Sequence, residues 1–536
     1  MKNNIFAKNA SGYRLIFGYL GIFIIVTGII LLIPLLVLFA YPSEVGSIFS
    51  FLIPGLSSIA VGVALSFLIR KREKAQLGKF QDSILLILIW IVAILIGAIP
   101  FTLRGFVVDF STGQASFDSV KSMGVNEAIF ESTSGFSATG LTLFNFDPSL
   151  PGYHLYTFYR SILLLFGGVG LVLIVASAVS DRYGLKLYTA EGHNDKLMPN
   201  LAKSARMILA IYLGYIALGT LSYWLLGGLT LFDSICHSIA AVATGGFSTV
   251  DGGLPAIIQN PTYVNGLGQH PNEIVINITS VVLMILGATN FVLHLSLFRG
   301  KIKSVIKDCE VKFFAGLCLV MVPLFFIAIW SHPEFNSNPA YAFGEGTFLF
   351  FSAVTTTGFA TIKPMLLLGQ GAVFLTIAMM CLGGGMGSTA GAIKQYRIII
   401  ASKAFFWSIR ERLSSSRKIY PHSIYRLGQN REVNKEETYE AYGYIVLYIA
   451  VLLLGSLLIT IFGSVDGLGF GNSLFEFASA LSGTGLSVGV TSLAYQNSQA
   501  INWVLVCGMF AGRLEIVIIH FAFFRIVRDI LRKETV

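Results

Sequence analysis

The sequence predicts an all-α polytopic membrane protein: an N-terminal two-helix hairpin, then four parallel span–loop–span repeats, ten spans in all. Three observations carry that expectation. Of 536 residues, 54% are hydrophobic and only 12% charged. That is about half the charged share of a soluble domain, so the chain is read as integral to a membrane. Apolar runs long enough to cross about 30 Å of hydrocarbon fall near 15–40, 50–69, 83–102, 155–179, 207–226, 272–298, 312–331, 370–400, 441–463 and 501–527. Between certain runs lie polar stretches rich in Gly, Ser and Thr, such as "ESTSGFSATGLT" at 131–142.

The net charge is +9, but its placement says more. Arg70, Lys71, Arg72, Lys74 and Lys79 share one loop; Arg182, Lys186, Lys196, Lys203 and Arg206 the next. Arg299, Lys301, Lys303 and Lys307 follow, then Arg410, Arg412, Arg417, Lys418, Arg426 and Arg431, and Arg525, Arg528, Arg532 and Lys533 in the tail. Alternate loops hold little beyond Arg104, Lys121 and Lys363. Such a bias marks the cytoplasmic side, and an even number of spans puts both termini there. The basic balance needs no nucleic-acid partner. Cys236, Cys309, Cys318, Cys381 and Cys507 are odd in number and lack metal spacing, so they are read as small core residues. The run Leu15 to Ala40 exceeds a signal h-region of about 7–15 residues and is read as a retained first span.

The polar stretches form a series: 128–142, 234–249, 346–361 and 473–487. Each carries a Thr-Gly pair: Thr139-Gly140, Thr244-Gly245, Thr357-Gly358 and Thr484-Gly485. Nine positions before each Thr stands Phe130, Ile235, Phe348 or Phe475. The pairs recur at about 105, 113 and 127 residues, the mark of an internal repeat. A chain that crosses, dips, returns and crosses again ends where it began. All four loops therefore dip from the extracellular face and can surround one axis. The expected division is a hairpin at 1–75 and repeats at 76–185, 186–300, 301–437 and 438–536, the third with an interrupted second helix and a basic cytosolic loop.

Irregular backbone at membrane depth is tolerated only when buried in protein or lining water. A ring of peptide carbonyls can replace a cation's water shell, and Thr hydroxyls add oxygens. A short helix before each loop would aim its partly negative C-terminal end at the centre. The candidate ion-binding residues are Ala138, Thr139, Gly140, Ala243, Thr244, Gly245, Thr356, Thr357, Gly358, Gly483, Thr484 and Gly485. None is a carboxylate, which favours a monovalent cation such as K⁺ over divalents and leaves Na⁺ and ammonium open. The competing reading is that small residues merely let helices pack closely; four matched copies behind matched half-helices argue against it.

The run 370–400 is interrupted by "GGGMGSTAGAIK" (383–394). A helix kink and a phosphate-binding loop compete as explanations, and the second fails because no Gly-Lys-Ser/Thr follows. Arg513 and Arg160 lie within spans, where ionisable residues are functional candidates. Arg513 is expected at the interruption or as an electrostatic barrier, with pairing to Glu515 or Glu476 as the alternative. Arg160 is expected to pair with Glu131 or helix-end carbonyls. Glu131 and Glu476 occupy equivalent places on their half-helices and are read as braces, and His237 and His294 as packed polar groups. No HExxH, GxSxG or cluster of His and carboxylates within the spans points to an enzyme.

From about residue 83 onward the sequence resembles the Trk/Ktr/HKT superfamily, and within it the TrkH branch. The resemblance rests on the four loops, "YRSILLLFGGVG" (159–170), "KLMPNLAKSARM" (196–207), "LGATNFVLH" (286–294), 383–394 and "GRLEI" (512–516). The added hairpin is similar to the ten-span TrkH branch rather than the eight-span KtrB branch. The resemblance implies a K⁺-uptake pore with fourfold pseudosymmetry in a bacterial plasma membrane. It implies a homodimer among membrane lipids and a cytosolic nucleotide-binding ring of the TrkA/KtrA type. The chain has no usable GxGxxG and is expected to bind no cofactor, with K⁺ the transported ion. Glycine at 140, 245, 358 and 485 implies K⁺ over Na⁺, although loops 1 and 4 carry fewer hydroxyls than the family's frequent Thr-Thr-Thr-Gly. Residues 383–394 match the family's intramembrane gate loop. That implies a gate built from Gly383, Gly384, Gly385, Gly387, Ser388, Thr389, Gly391, Lys394 and Arg513, stiffened by Ala390 and Ala392 where Gly is common. The basic loop 403–437, with a hairpin expected to turn at Gly428-Gln429-Asn430, is either a solvated loop or a docking surface for the ring. The alternative function is a Na⁺-permeable, K⁺/H⁺- or K⁺/Na⁺-coupled transporter on the same fold. A two-repeat inverted transporter is disfavoured by four parallel repeats.

Overall fold

The computed structural model describes residues 3–67, 81–112, 114–170, 201–362, 368–414, 420–464, 467–491 and 498–534. The basic cluster at 70–79, Arg182, Lys186, Lys196, the end of the 155–179 run, Lys363, Arg417 and Lys418 lie outside those residues. The chain opens with helices Asn3–Leu32 and Phe49–Ser66, joined by 3₁₀ turns. Glycines seven apart on each helix meet in pairs. A Cβ on Gly21 would stand 2.7 Å from the Gly62 carbonyl, and one on Gly28 2.7 Å from that of Gly55. Small residues at that spacing let the two backbones close on each other.

Four short helices precede the Thr-Gly stretches: Val125–Phe136, Leu231–Val242, Pro339–Val354 and Phe470–Ser482. Their starts follow ordinary capping chemistry. The Glu127 carboxylate accepts the Gly124 N–H at 3.1 Å, the Thr230 hydroxyl the Asp233 N–H at 3.1 Å, and Asn338 the Tyr341 N–H at 3.2 Å. Each helix is followed in the chain by a longer one, which in the second, third and fourth repeats is broken. Helix Tyr153–Val169 ends at Gly170. Helices Glu273–Ala288 and Phe291–Phe298 meet at 105°, and Gln499–Arg513 and Ile516–Phe524 at 102°. Gly369–Leu382 and Gln395–Leu413 flank 383–394. The runs 272–298 and 501–527, each expected as one span, are therefore bent. Hydropathy averaged over a whole span passes over such breaks, although polar residues stand at both: Thr289 and Asn290 at the first, Arg513 and Glu515 beside Leu514 at the second. Gly167, Gly287 and Gly512 sit at corresponding points, where a Cβ would strike the carbonyl oxygens of Phe136, Val242 and Leu481.

Among the described residues, six helices are long and apolar enough to cross a membrane, or up to eight if each bent pair is one span. Three large apolar clusters hold them together. One joins the hairpin to the first repeat, one centres on the second, and one unites the third and fourth. A two-stranded hairpin pairs Ser423–Arg426 with Gln429–Glu432. Its turn is Leu427-Gly428, with φ of 49° and 88°, not the expected 428–430. Two left-handed residues give the type I′ geometry that suits strand twist.

Candidate functional site

The short helices all end in one way. The amides of Thr139, Gly245, Thr357 and Thr484 each donate to the carbonyl five residues back, at 2.9 Å. The residue before each is left-handed: Ala138 (φ 54°), Thr244 (50°), Thr356 (53°) and Gly483 (70°). This is the Schellman-type end, which normally places Gly at the left-handed position. Only the fourth loop does so; the other three hold a side chain there at about 1–2 kcal/mol each.

That hydrogen bonding corrects the second loop by one residue. Gly245, not Thr244, matches Thr139, Thr357 and Thr484. Gly246, not Gly245, matches Gly140, Gly358 and Gly485, and Ala243 falls one place too early. The apolar partner nine residues back is then Cys236, which is buried, rather than half-buried Ile235. The tandem Gly245-Gly246 allowed either register, and the Thr-Gly pair selected the wrong one.

In this register the four loops meet in a closed circuit. A Cβ on Gly140 would collide with the Gly245 carbonyl oxygen, one on Gly246 with that of Thr357, one on Gly358 with that of Thr484, and one on Gly485 with that of Thr139. Each glycine is thus bare because the next loop's carbonyl occupies the place of a side chain. Gly140, Gly246, Gly358 and Gly485 line one side of a vestibule of about 440 Å³. Across the ring lies a cavity of only about 30 Å³, bounded by Ser137, Ala138, Ser482 and Gly483 above and by Gly387–Ala392, Lys394 and Arg513 below. That is room for little more than one water.

Hydroxyl groups divide the loops. Ser137 and Thr139 pair at 2.6 Å, Thr355 and Thr357 at 2.8 Å, and Ser482 and Thr484 at 2.6 Å. The second loop has Ala243 and Gly245 there and no such pair. Its Thr244 hydroxyl instead donates to Thr389 Oγ1 at 3.0 Å, and Thr356 Oγ1 accepts the Gly391 N–H at 2.9 Å. Thr389 also bonds the carbonyl oxygens of Val242 and Gly287. The Gly385 N–H donates to Ala288, and Gln395 binds back to Gly383 and Gly384. Gly383 (φ 68°) and Gly387 (71°) supply left-handed turns, but Ala392 (66°) and Lys394 (74°) adopt the same region at a cost. A Cβ on Gly391 would strike the Ser482 carbonyl. Residues 383–394 are thus wedged directly against the ring.

Buried ionisable groups surround this centre. Arg160 Nε donates to Glu131 at 2.6 Å, Nη2 to Thr142 at 2.9 Å, and Nη1 to the Ser248 carbonyl of the second loop at 3.0 Å. Glu476 receives the Ser487 hydroxyl at 2.7 Å, the amides of Val488 and Thr491 at 3.1 Å, and the Thr491 hydroxyl. Arg513 donates to the Gly167 and Gly168 carbonyls. Glu515 pairs with Arg397 at 2.7 Å. Lys394 turns its Nζ to the Ala390 carbonyl. His294 lies between Tyr215 and the Leu286 carbonyl, both at 2.9 Å. The interrupted segment also reaches the strand hairpin: the Met386 N–H and Arg426 Nη2 share Glu310 Oε1 at 3.4 and 3.5 Å, and the Leu427 N–H donates to Asp308 at 2.8 Å. Gly246, Glu310 and Arg426 had no part in the sequence-based site. The doubled glycine was the available signal for the first; none existed for the other two, which are 116 residues apart.

Known proteins share this architecture. The crystal structure of the potassium transporter TrkH from Vibrio parahaemolyticus matches with a TM-score of 0.73 at 24% identity, over 95% of this chain and 97% of its own. The Trk system potassium uptake protein TrkH of Salmonella typhimurium is 27% identical, over 94% of this chain and 97% of its own. An uncharacterized cation transporter of Methanocaldococcus jannaschii is 28% identical, over 93% and 92%. The family profile for TrkH, described as a cation transport protein, matches residues 48–528. With so much of its length inside that profile, and its fold in agreement, the chain belongs to the TrkH family.

Proposed function

We propose that the chain is the pore-forming subunit of a potassium-uptake system, with one ion path through the centre of four pseudosymmetric repeats. The single observation that carries this reading is the circuit in which each loop glycine faces the next loop's carbonyl oxygen. Backbone so arranged offers oxygen dipoles without full charges, which can stand in for the hydration of a weakly hydrated monovalent cation. The filter would comprise Ala138–Gly140, Thr244–Gly246, Thr356–Gly358 and Gly483–Gly485. The relatives named for potassium uptake support K⁺ as the ion. Ten spans divide at the boundaries given above, counting each broken second helix as one crossing of a bacterial plasma membrane, with both termini cytoplasmic.

Residues 383–394 act as the gate. The contrast between a 440 Å³ vestibule and a 30 Å³ cavity supports a closed conformation. Lys394 and Arg513 line the small cavity and would repel a cation entering it. The Arg426–Glu310–Met386 connection gives a cytosolic nucleotide-binding ring a handle: docking on hairpin 423–432 would draw on Glu310 and so on the gate. The subunit works as a homodimer.

The test is Rb⁺ uptake in cells lacking their own K⁺ uptake, with Gly246→Asp and Gly358→Asp compared against the parent. Both variants should abolish uptake while still reaching the membrane. Parental uptake in both would refute the pore assignment.

A further inference from the structure

The observed register of the second loop aligns residues that the sequence kept apart. Eight positions before the Thr139 site stand Glu131, His237, Leu349 and Glu476; three positions after it stand Thr142, Ser248, Ala360 and Ser487. In the first and fourth repeats the hydroxyl donates to the carboxylate, Thr142 to Glu131 at 3.0 Å and Ser487 to Glu476 at 2.7 Å. The same hydroxyl oxygens accept the N–H two residues on, from Phe144 and Gly489, both at 3.0 Å. In the second repeat Ser248 Oγ stands 3.1 Å from His237 Nε2 and accepts the Val250 N–H at 3.4 Å. The clasp is the same, with imidazole in place of carboxylate.

The tautomer follows from the other ring nitrogen. His237 Nδ1 lies 2.8 Å from the Asp233 carbonyl, which can only accept. Nδ1 therefore carries the proton and Nε2 is a neutral acceptor. A neutral acceptor suits the place. Arg160 reaches the Ser248 carbonyl, but its charge is already matched by Glu131. Asp233 stands one helical turn away, hydrogen-bonded to Thr230 and Tyr263. A further buried carboxylate would lack a cation of its own. The imidazole also lies 6.1 Å from the ring of Phe359, on the third loop's exit. The third repeat, with Leu349 and Ala360, closes differently: Ser352 donates to the Phe359 carbonyl at 2.6 Å, and Thr361 binds Glu345.

We infer that His237 is a positioning residue for ion selectivity: as a neutral acceptor it clasps Ser248 and so fixes the carbonyls of Gly245 and Gly246 in the ring. The second loop lacks the hydroxyl pair that stiffens its neighbours, so the clasp and the Arg160 bond to the Ser248 carbonyl are the side-chain restraints that hold its exit on the vestibule side. The inference rests on the filter reading above, and its test separates the two.

Rb⁺ uptake and its inhibition by Na⁺ are measured for the parent, His237→Phe, His237→Gln, Ser248→Ala and the double variant His237→Phe/Ser248→Ala, with Gly246→Ser as the filter control. Loss of the clasp should lower the preference for Rb⁺ over Na⁺ by roughly tenfold, the scale of one hydrogen bond, at an unchanged amount of protein in the membrane. His237→Gln keeps an acceptor and should keep the preference, and the double variant should be no worse than either single one. A merely structural histidine would change the amount of protein and not the ion ratio. Parental preference in His237→Phe or in Ser248→Ala, which removes one atom and should fold, overturns the inference. If Gly246→Ser alters the ratio while these do not, only the role of His237 falls. If Gly246→Ser also leaves it unchanged, the filter reading falls with it.

Discussion

The second and fourth loops occupy equivalent places in the ring and share an exit clasp, yet the rest of their restraint comes from different places. The fourth loop is braced from within its own repeat. Gly483 takes the left-handed turn without strain, Ser482 pairs with Thr484, and Glu476 gathers the loop's exit through Ser487, Val488 and Thr491. The second loop has no hydroxyl pair and a strained Thr244. Much of its restraint comes from elsewhere in the chain: Arg160 grips the Ser248 carbonyl from above, and Thr389 grips Thr244 and the Val242 carbonyl from below. A locally braced loop keeps its shape whatever its neighbours do. A loop held by its neighbours can feel them move, which makes the second the quarter of the ring most exposed to the gate.

The sharpest way to break this contrast is Arg160→Met. It strips Glu131 of its cation in a site where both side chains are essentially inaccessible, and uncompensated burial of that charge costs about 3–5 kcal/mol. A lowered unfolding midpoint in detergent should reveal the loss, and Glu131→Gln in the same background should recover part of it. An Arg160→Met protein as stable as the parent would mean that the outer grip on the second loop is dispensable.

A smaller effect is expected from Thr389→Val, which keeps the side chain's volume and removes its bonds to Thr244, Val242 and Gly287. Leaving those buried groups unpaired costs the closed gate about 1–3 kcal/mol. Rb⁺ leak in proteoliposomes without any partner should rise, by roughly tenfold for each 1.4 kcal/mol. Ser482→Ala in the fourth loop, whose hydroxyl bonds within its own loop to Thr484 and the Ser479 carbonyl, should leave that leak alone. Equal leak in the two variants would erase the distinction between the loops.

The smallest effect concerns the tie between the hairpin and the first repeat. Glu44 caps helix Tyr153–Val169, accepting the N–H groups of His154 and Leu155 at 3.0 and 2.9 Å and pairing with His154 Nδ1 at 2.7 Å. Burial alone would raise this carboxyl, but the hydrogen bonds from His154 and from the two amides outweigh it and hold it below the ordinary value. A carboxyl depressed in the folded state stabilises the fold fully above the unfolded value of about 4.3. That contribution is lost as pH falls through the folded value. Thermal melts across roughly pH 6 to 3 should slope less for Glu44→Gln than for the parent, and coincident slopes would discount the cap.

Much of this was legible in the amino-acid order. Low charge, long apolar runs and the recurring Thr-Gly stretches pointed to the membrane class, to a short helix before each stretch and to the shared register of three of the four loops. Those features are local: a helix cap, a glycine in a turn and an apolar run act within a few residues of themselves. The failures share the opposite property. The second loop was misplaced by one residue because two adjacent glycines satisfy the same local pattern, and only the hydrogen bond from Gly245 to Ala240 separates them. The bends near 289 and 514 fall at Thr289-Asn290 and at Arg513–Glu515, and isolated polar residues in an apolar run do not by themselves specify turns of 105° and 102°. Arg513 received partners the sequence did not suggest, because backbone carbonyls leave no trace in residue identity. Composition and periodicity by themselves determined that this chain is mostly helical with helices apolar enough to span a membrane, and that a Gly- and Thr-rich stretch recurs four times. Which carbonyl faces which glycine, and which hydroxyl holds the gate, was decided only by tertiary contact, because those contacts join groups from 35 to several hundred residues apart, beyond the reach of any local pattern.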